Sequence, residues 1–474
     1  MDRQDRVSAI RENRLNILQG DTERVAKQHA AGKQTARERV AKLFDRGSFV
    51  ETDALKQEGN VVCGYGTLQG RVAYCFAQDA SCQGGAMSIK QAEKITKLLN
   101  LAKMTGAPVV ALLDSTGAKI LEGANALTAY ASVMGQMARL SGVCPMIACV
   151  MGPCRGVATM FTQLADISIN VDKTGELEMH SALVLGKKLT HDELAAQGAT
   201  SLVAKTEDEA LTLVASLLEL LPSCNVEDAP FTEGDDLNRQ LTVCDASNGI
   251  NLVRELADDG QIIELNASYA PSVHTVLCNV GGRTTGIVAT DYSVEDGRMD
   301  ASACEKVARF VRFCDCYQVQ LVSLINSDGL EVNDASKQAW AMRASAQMLY
   351  AYAEATTPKV AIITGNAIGG AYVAMGGKNI ADITYAWDTA VVSPLTAQVA
   401  VQTLCDDELS AGTDRSELER KYEESTDALY AAQEGIVDDI IEPEDTRKII
   451  IWAMEVLQSK HDVNLPKKHG NLPV

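Results

Sequence analysis

The sequence is poor in the residues from which most catalytic centres are built. It has six histidines and 5% aromatics in 474 residues, and its 13 cysteines include no Cys-x2-Cys pair, the nearest spacings being Cys314/Cys316 and Cys144/Cys149/Cys154. A zinc ribbon has no ligands at the usual intervals, and no metal is expected. Basic charge is also scarce: 43 Lys+Arg against 63 Asp+Glu leave a net charge of −20. That balance repels nucleic acid and anionic lipid, so an anionic ligand must meet a local exception and no nucleic acid is expected as partner. The longest apolar runs, such as Ala107 to Leu113 and Met146 to Met151, are strand-sized and far short of the about 20 residues that span a bilayer. No signal peptide is visible in MDRQDRVSAIRENR, which with the unpatterned cysteines points to a reducing, cytoplasmic setting. Gly-x4-Gly-Lys-Ser/Thr, Gly-x-Gly-x-x-Gly after a strand and Gly-x-Ser-x-Gly are all missing. The usual phosphate-loop, dinucleotide and serine-hydrolase readings fall with them.

What the sequence does contain is a repeat. LFDRGSFVE, with Leu43, Asp45, Gly47 and Glu51, returns 213 residues later as LADDGQIIE, with Leu256, Asp258, Gly260 and Glu264. Gly70-Arg71 and Asp79 answer Gly282-Arg283 and Asp291, and Glu93-Lys94 answers Glu305-Lys306, each at 212. VVALLDSTG, ending at Gly117, answers LVSLINSDG, ending at Gly329, and Pro145 answers Pro358 at 213. Two homologous domains follow. The expected boundaries are a charged helical extension over 1–35, a first domain over 36–222, a linker over 223–247, a second domain over 248–460 and a tail over 461–474. The linker is read from the crowding of Pro, Asp and Glu between Pro222 and Ser247. Within the first copy the patterning predicts helices over Ser88 to Thr105 and Ala124 to Leu140, and buried strands over Val109 to Leu113 and Met146 to Val150. Short apolar runs bounded by Gly/Pro that alternate with helical patterns make each domain α/β.

In both copies a buried strand ends in a glycine-containing turn that opens onto a helix: CVMGPCRGVATMFTQLAD and ITGNAIGGAYVAMGGKNIAD. Backbone N–H groups at a helix start have no intrahelical partner and suit an oxyanion. The donors expected are Gly156 and Val157 in the first copy and Gly370 and Ala371 in the second. The rival reading is that these glycines only let a helix pack closely on a strand. Cys154, beside the first turn, is either an activated thiol or a buried inert one. No carboxylate follows either turn, where Ala158, Thr159 and Met160 or Tyr372, Val373 and Ala374 stand. The chemistry is expected to lean on backbone donors and on the reagent itself.

The stretches GKQTARERVAKLFDRGSFVE (Gly32 to Glu51), DSTGAKILEG (Asp114 to Gly123), MGPCRG (Met151 to Gly156), EKVARFVRFCD (Glu305 to Asp315), LYAYAEATTPKV (Leu349 to Val360) and GGAYVAMGGKN (Gly369 to Asn379) together resemble the carboxyltransferase subunit of biotin-dependent acyl-CoA carboxylases and decarboxylases. The similarity runs from about residue 30 to about 455. It implies an α/β fold of two tandem crotonase-like domains, a CoA thioester held by the first, and carboxybiotin entering through the second domain of a neighbouring subunit. On that resemblance Gly156 and Val157 would cradle a thioester enolate, and Gly370 and Ala371, followed by Tyr372 and Val373, would face the ureido oxygen of biotin. Lys33, Arg37, Arg39 and Lys119, with Gly117 and Ala118, would meet CoA; solvated surface pairs are the rival for the four basic residues. Biotin itself would take the proton of the acyl-CoA.

The Ala/Val-Met-Lys-Met tetrapeptide that accepts biotin is missing, the nearest strings being those at Lys90 and Lys378, so a separate biotin carboxyl carrier protein is implied. Either a biotin carboxylase subunit or membrane decarboxylase subunits would accompany it, around a hexamer built from dimers. Departures from the family pattern fall mostly in the second domain. Asn326-Ser327-Asp328-Gly329-Leu330 stands for Asp-x-Pro-Gly-Phe, Val373 for an Asp, and Ser393 to Gln398 for an apolar Met-Gly segment. In the first domain Lys119 stands for Arg and Val157 for the second glycine of the turn; donation from Val157 requires its φ to stay negative. The alternative functions are a non-catalytic scaffold subunit of such a complex and, with less support, a hydratase or isomerase, which needs a carboxylate beside an oxyanion turn.

Overall fold

The computed structural model describes residues 3–56, 60–180, 182–331, 334–462, 467 and 469–473. Parts of the expected extension (1–2) and tail (463–466, 468 and 474) lie outside the described residues. The chain divides into two compact units, Met1–Asp228 and Ala229–Val474.

The first unit is built on one sheet. Strands β1 (Val50–Thr52), β2 (Val61–Leu68) and β3 (Arg71–Gln78) form an antiparallel meander, and β4 (Val109–Ser115), β5 (Met146–Arg155), β6 (Ile167–Val171) and β8 (Leu202–Ala204) continue it in parallel, with β7 (Glu176–Glu178) paired to the end of β5. Every residue of β4 is buried, as its unbroken apolar run requires of a strand covered on both faces. Helices Ile89–Thr105 and Ala124–Leu140 match the expected spans to within a residue. Ser88 caps the first by accepting the Gln91 N–H, and Gly106 ends it in the left-handed conformation. The core packs between these helices and the sheet around Phe76, Leu98, Val133 and Val150.

The second unit repeats the plan. Strands β9 (Ile262–Leu265), β10 (Val273–Val280) and β11 (Arg283–Thr290) form the meander, followed by parallel β12 (Gln320–Ser327), β13 (Lys359–Ile368), β14 (Ile383–Trp387) and β16 (Asp439–Ile441), with β15 (Val391–Ser393) on the end of β13. The sheet order is the same in both units. Shared anchors follow the repeat register. Asp45 accepts the Gln69 and Gly70 N–H groups, and Asp258 accepts those of Gly281 and Gly282, so one carboxylate closes each meander's hairpin. Lys94 Nζ donates to the Val61 carbonyl at 2.7 Å, and Lys306 Nζ to that of Val273 at 2.6 Å.

The expected linker is mostly exposed chain that is anchored at a few points. Leu241 is buried, its N–H donates to the Glu444 carbonyl, and Arg239 donates to the carbonyls of Glu255 and Ala257.

Candidate functional site

Both turns form at the ends of the strands that carry them. After β5, Gly156 takes φ +59° and opens a short 3-10 helix over Gly156–Thr159. After β13, Gly369 takes φ +52°, and Gly370 and Ala371 lead into a π-helical turn over Tyr372–Gly376. The left-handed residue is thus Gly156 in one copy and Gly369 in the other, so the structural partner of Val157 is Gly370. A left-handed residue here reverses the chain between strand and helix, which glycine does without steric cost. Val157 is not among the residues of positive φ, which leaves its N–H able to donate. In the second copy the Gly369 N–H is spent on the Ser393 carbonyl at 2.8 Å. Ala371 is in the right-handed helical region, at φ −65°.

The space at the two turns differs. A Cβ on Gly156 would meet no atom within 4 Å, whereas one on its counterpart Gly369 would lie 3.2 Å from the Pro394 carbonyl oxygen and one on Gly370 2.4 Å from Leu330 Cδ1. Backbone at the first turn is open, while the second is closed in by the Pro394 backbone and the Leu330 side chain. Val157 and Val373 are exposed, at 42% and 51%. Tyr372 donates its hydroxyl to the Ile436 carbonyl at 3.0 Å, pinning the start of the π-helical turn.

The loops after β4 and β12 are a second matched pair. Gly117 (φ +111°) and Gly329 (φ +107°) donate to Ser115 Oγ and Ser327 Oγ, both at 3.1 Å. The Lys119 N–H goes to the Met87 carbonyl; among the described residues no acceptor takes the Ala118 N–H. Lys119 Nζ stands 3.4 Å from Glu122.

The basic residues expected to meet CoA are engaged within the protein. Lys33 Nζ and Arg39 Nη1 donate to the two oxygens of Asp114 at 2.6 and 2.8 Å, and Gln28 adds a third donor at 3.0 Å. Arg39 also grips Glu207 with Nε at 3.1 Å and Nη2 at 2.6 Å. Arg39 and Asp114 are each 0% exposed. Burial opposes the charge of Arg39, and Glu207 with Asp114 outweighs it, holding the guanidinium above its ordinary value. A guanidinium with no surface cannot meet a phosphate, so Arg39 is a core ion pair; Arg37 pairs with Glu51. Lys33 and Arg39 thus converge on one buried carboxylate rather than forming solvated surface pairs. Their carboxylate partners stand 75 to 168 residues away in sequence, beyond what local spacing reports.

Cys154 is buried, and burial pushes its thiol up to about 12, so it stays protonated. Among the described residues no three His, Cys, Asp or Glu side chains converge as metal ligands, and no helix is long and apolar enough to cross a membrane. The inspection of residues flanking the turns missed a carboxylate. Asp328, at the end of β12, lines a cavity of about 120 Å³ together with Ile368, the last residue of β13 before the second turn. Its pairing across β12 and β13 is a tertiary fact; the repeat register, which sets Asp328 against Thr116, was the available signal.

Comparison with known proteins agrees with this geometry. A family model described as carboxyl transferase domain matches residues 27–472. The chain is 35% identical to the methylmalonyl-CoA decarboxylase subunit alpha of Propionigenium modestum, over 96% of each. It is 36% identical to the propionyl-CoA carboxylase beta chain of Saccharopolyspora erythraea, over 98% of this chain and 95% of that one. Among solved structures, transcarboxylase 12S, described as a hexamer assembly and with methylmalonyl-coenzyme A and methylmalonic acid bound, matches with a TM-score of 0.95 at 33% identity, covering 100% of this chain and 99% of that one.

Proposed function

The chain belongs to the carboxyl transferase family, and we propose that it moves a carboxyl group between biotin on a separate carrier protein and the carbon α to a short acyl-CoA thioester. The observation that carries this reading is the duplicated turn, a left-handed glycine followed by a helix start, at Gly156 after β5 and at Gly369 after β13. Both halves of such a transfer place negative charge on an oxygen, once on the thioester and once on the urea, and one backbone N–H aimed at such an oxygen contributes about 3 to 4 kcal/mol. Gly156 and Val157 serve the thioester oxygen, where the missing Cβ leaves the backbone open. Gly370 and Ala371 serve the ureido oxygen, with Tyr372 fixing the turn and Val373 presenting an apolar surface. When bound, biotin supplies the carboxyl group and the base. The chain's own part is to donate hydrogen bonds and to hold the thioester carbon in position.

For the CoA phosphates the reading retains Lys119, on the loop with Gly117 and Ala118, and drops Arg39. By likeness to the relatives above, the acyl group is propionyl or methylmalonyl and the assembly is a hexamer; the family resemblance adds acetyl as an acyl group and a biotin carboxylase or membrane decarboxylase subunits beside the carrier. The test is biotin-dependent decarboxylation of malonyl-CoA and methylmalonyl-CoA by the full chain with free biotin. Release of CO2 only when biotin is present supports the reading; no turnover with any short acyl-CoA overturns it.

A further inference from the structure

The cavity beside the second turn has a chemistry of its own. Asp328 Oδ1 accepts Asn366 Nδ2 at 2.7 Å, and the Tyr292 hydroxyl stands 3.5 Å from the same oxygen. Burial first, and the Asp328 charge second, hold the Tyr292 phenol above its ordinary value, so it remains a donor. Among the described residues no hydrogen bond reaches Asp328 Oδ2. The wall opposite is tied to the turn: Ser393 accepts the Gly369 N–H on its carbonyl, and its hydroxyl meets that of Tyr422 at 2.7 Å. The lining includes two acids, Asp328 and Glu423, and no Lys or Arg. At about 120 Å³ the space is small beside the about 300–1,000 Å³ of drug-sized ligand sites, so it suits a single small ring.

The cavity meets the second turn at Ile368, two residues before Gly370, so a carboxylate acceptor at Asp328 stands on the approach to the N–H donors of Gly370 and Ala371. A ligand complementary to both has a carbonyl oxygen directly flanked by an N–H, which is the pattern of a cyclic urea. An anion is repelled by the acids, and a cation by the donors. The first repeat lacks this polarity, with Thr116 at the register of Asp328 and Pro153 at that of Asn366.

Resting on the function proposed above, we infer that Asp328 is a specificity residue for the biotin side, its Oδ2 accepting the ring N–H on the nitrogen that does not carry the carboxyl group. Repulsion between Asp328 and that carboxyl group would turn the carboxylated nitrogen away from β12, so one side chain sets which way round the ring sits.

The experiment is steady-state decarboxylation of malonyl-CoA by the full chain with free biotin, on wild type, Asp328→Ala and Asp328→Asn of matched melting temperature. The expected result is a KM for biotin raised about tenfold in Asp328→Ala and less in Asp328→Asn, which keeps a carbonyl acceptor, with the KM for malonyl-CoA unchanged. An unchanged biotin KM in Asp328→Ala, or equal rises in both KM values, overturns the inference while leaving the function standing. If wild type shows no biotin-dependent turnover, the functional reading fails instead. Ligand-observed NMR with free biotin then decides for the cavity: binding lost in Asp328→Ala supports it, and equal binding or none overturns it.

Discussion

The two repeats share a backbone and differ in how they neutralise charge. Where the first holds Lys33, Arg39 and Asp114, the second places Ala246, Leu252 and Asn326 at the same register. Asn326 fills the role with neutral bonds, donating to the Ala246 carbonyl and accepting the Asn366 N–H, both at 2.8 Å. The second repeat's buried guanidinium sits elsewhere: Arg447, 0% exposed, binds Asp258 and Asp235 from the helix Thr446–Leu457. Glu51 pairs with Arg37, but its counterpart Glu264 pairs with His274, which lies at the register of Val62. The acids Asp45, Glu51 and Asp79 have all kept their type at 258, 264 and 291, while the cations that pair with carboxylates in the first repeat, Lys33, Arg37 and Arg39, have not. A carboxylate that binds backbone N–H groups is held by the fold itself, whereas a cation can reach it from any neighbouring element.

The largest test of that contrast is to remove one cation from each core. Arg39→Leu should destabilise the first unit by about 3–5 kcal/mol, because Glu207 is left buried without its cation and Asp114 keeps only Lys33 and Gln28. Adding Asp114→Asn, which imports the second repeat's solution, should recover part of the loss. Urea unfolding of the single and double variants measures both, and additive effects would show that the residues do not form one network.

At the turns, Val157→Pro and Gly370→Pro each delete one backbone N–H. Each should lower kcat by about 10²–10³-fold if its donor faces a developing oxyanion. Stopped-assay turnover with saturating acyl-CoA and biotin reads the effect. Full activity in Gly370→Pro would favour a scaffold role for the second repeat.

A smaller difference lies in the matched helix lysines. Lys306 donates to three carbonyls and its burial lowers its pKa to about 8. The folded chain therefore releases this proton near pH 8, while the unfolded chain holds it to about 10.5. The unfolded state binds more protons in between, so stability from this group rises with pH across that window. Thermal melts of wild type and Lys306→Met between pH 7 and about 10.5 should show the slope only in wild type.

The smallest effect belongs to His274. Burial opposes its charge, but Glu264 and Asp291, at 2.6 and 2.9 Å, raise its pKa above the ordinary value. Its contribution is fully present below about pH 6.5 and is lost as pH rises through the folded pKa. His274→Val, copying the first repeat, should remove that dependence from melting curves taken between pH 5 and about 8.

Much of this architecture was legible without coordinates. Residues 109–113 and 146–150 announce buried strands because all neighbours in such a strand face protein, and an offset close to 212 relates β1 through β5 to β9 through β13. The turns were legible too, though the left-handed position in the second copy is Gly369, because a run of two glycines does not say which one reverses the chain. The ion pairs of Lys33 and Arg39 were not legible, since a Lys or Arg near a ligand loop and one gripping a carboxylate from a distant helix have the same local sequence. Asp328 was overlooked for the same reason, its importance arising from the strand beside it.

Two further glycines carry a consequence for how variation in this chain is interpreted. A Cβ at Gly152 would lie 2.1 Å from Asp114 Oδ1, and one at Gly365 would lie 2.4 Å from Asn326 Oδ1. Both precede the two turns by four residues, so on the proposed function a substitution scan scored on activity would paint each pair of glycines as one intolerant block. The blocks would be composite: half of each intolerant because the proposed ligand needs the backbone, and half because a polar side chain already occupies the only available volume. Scoring the same library for abundance as well as turnover would split them.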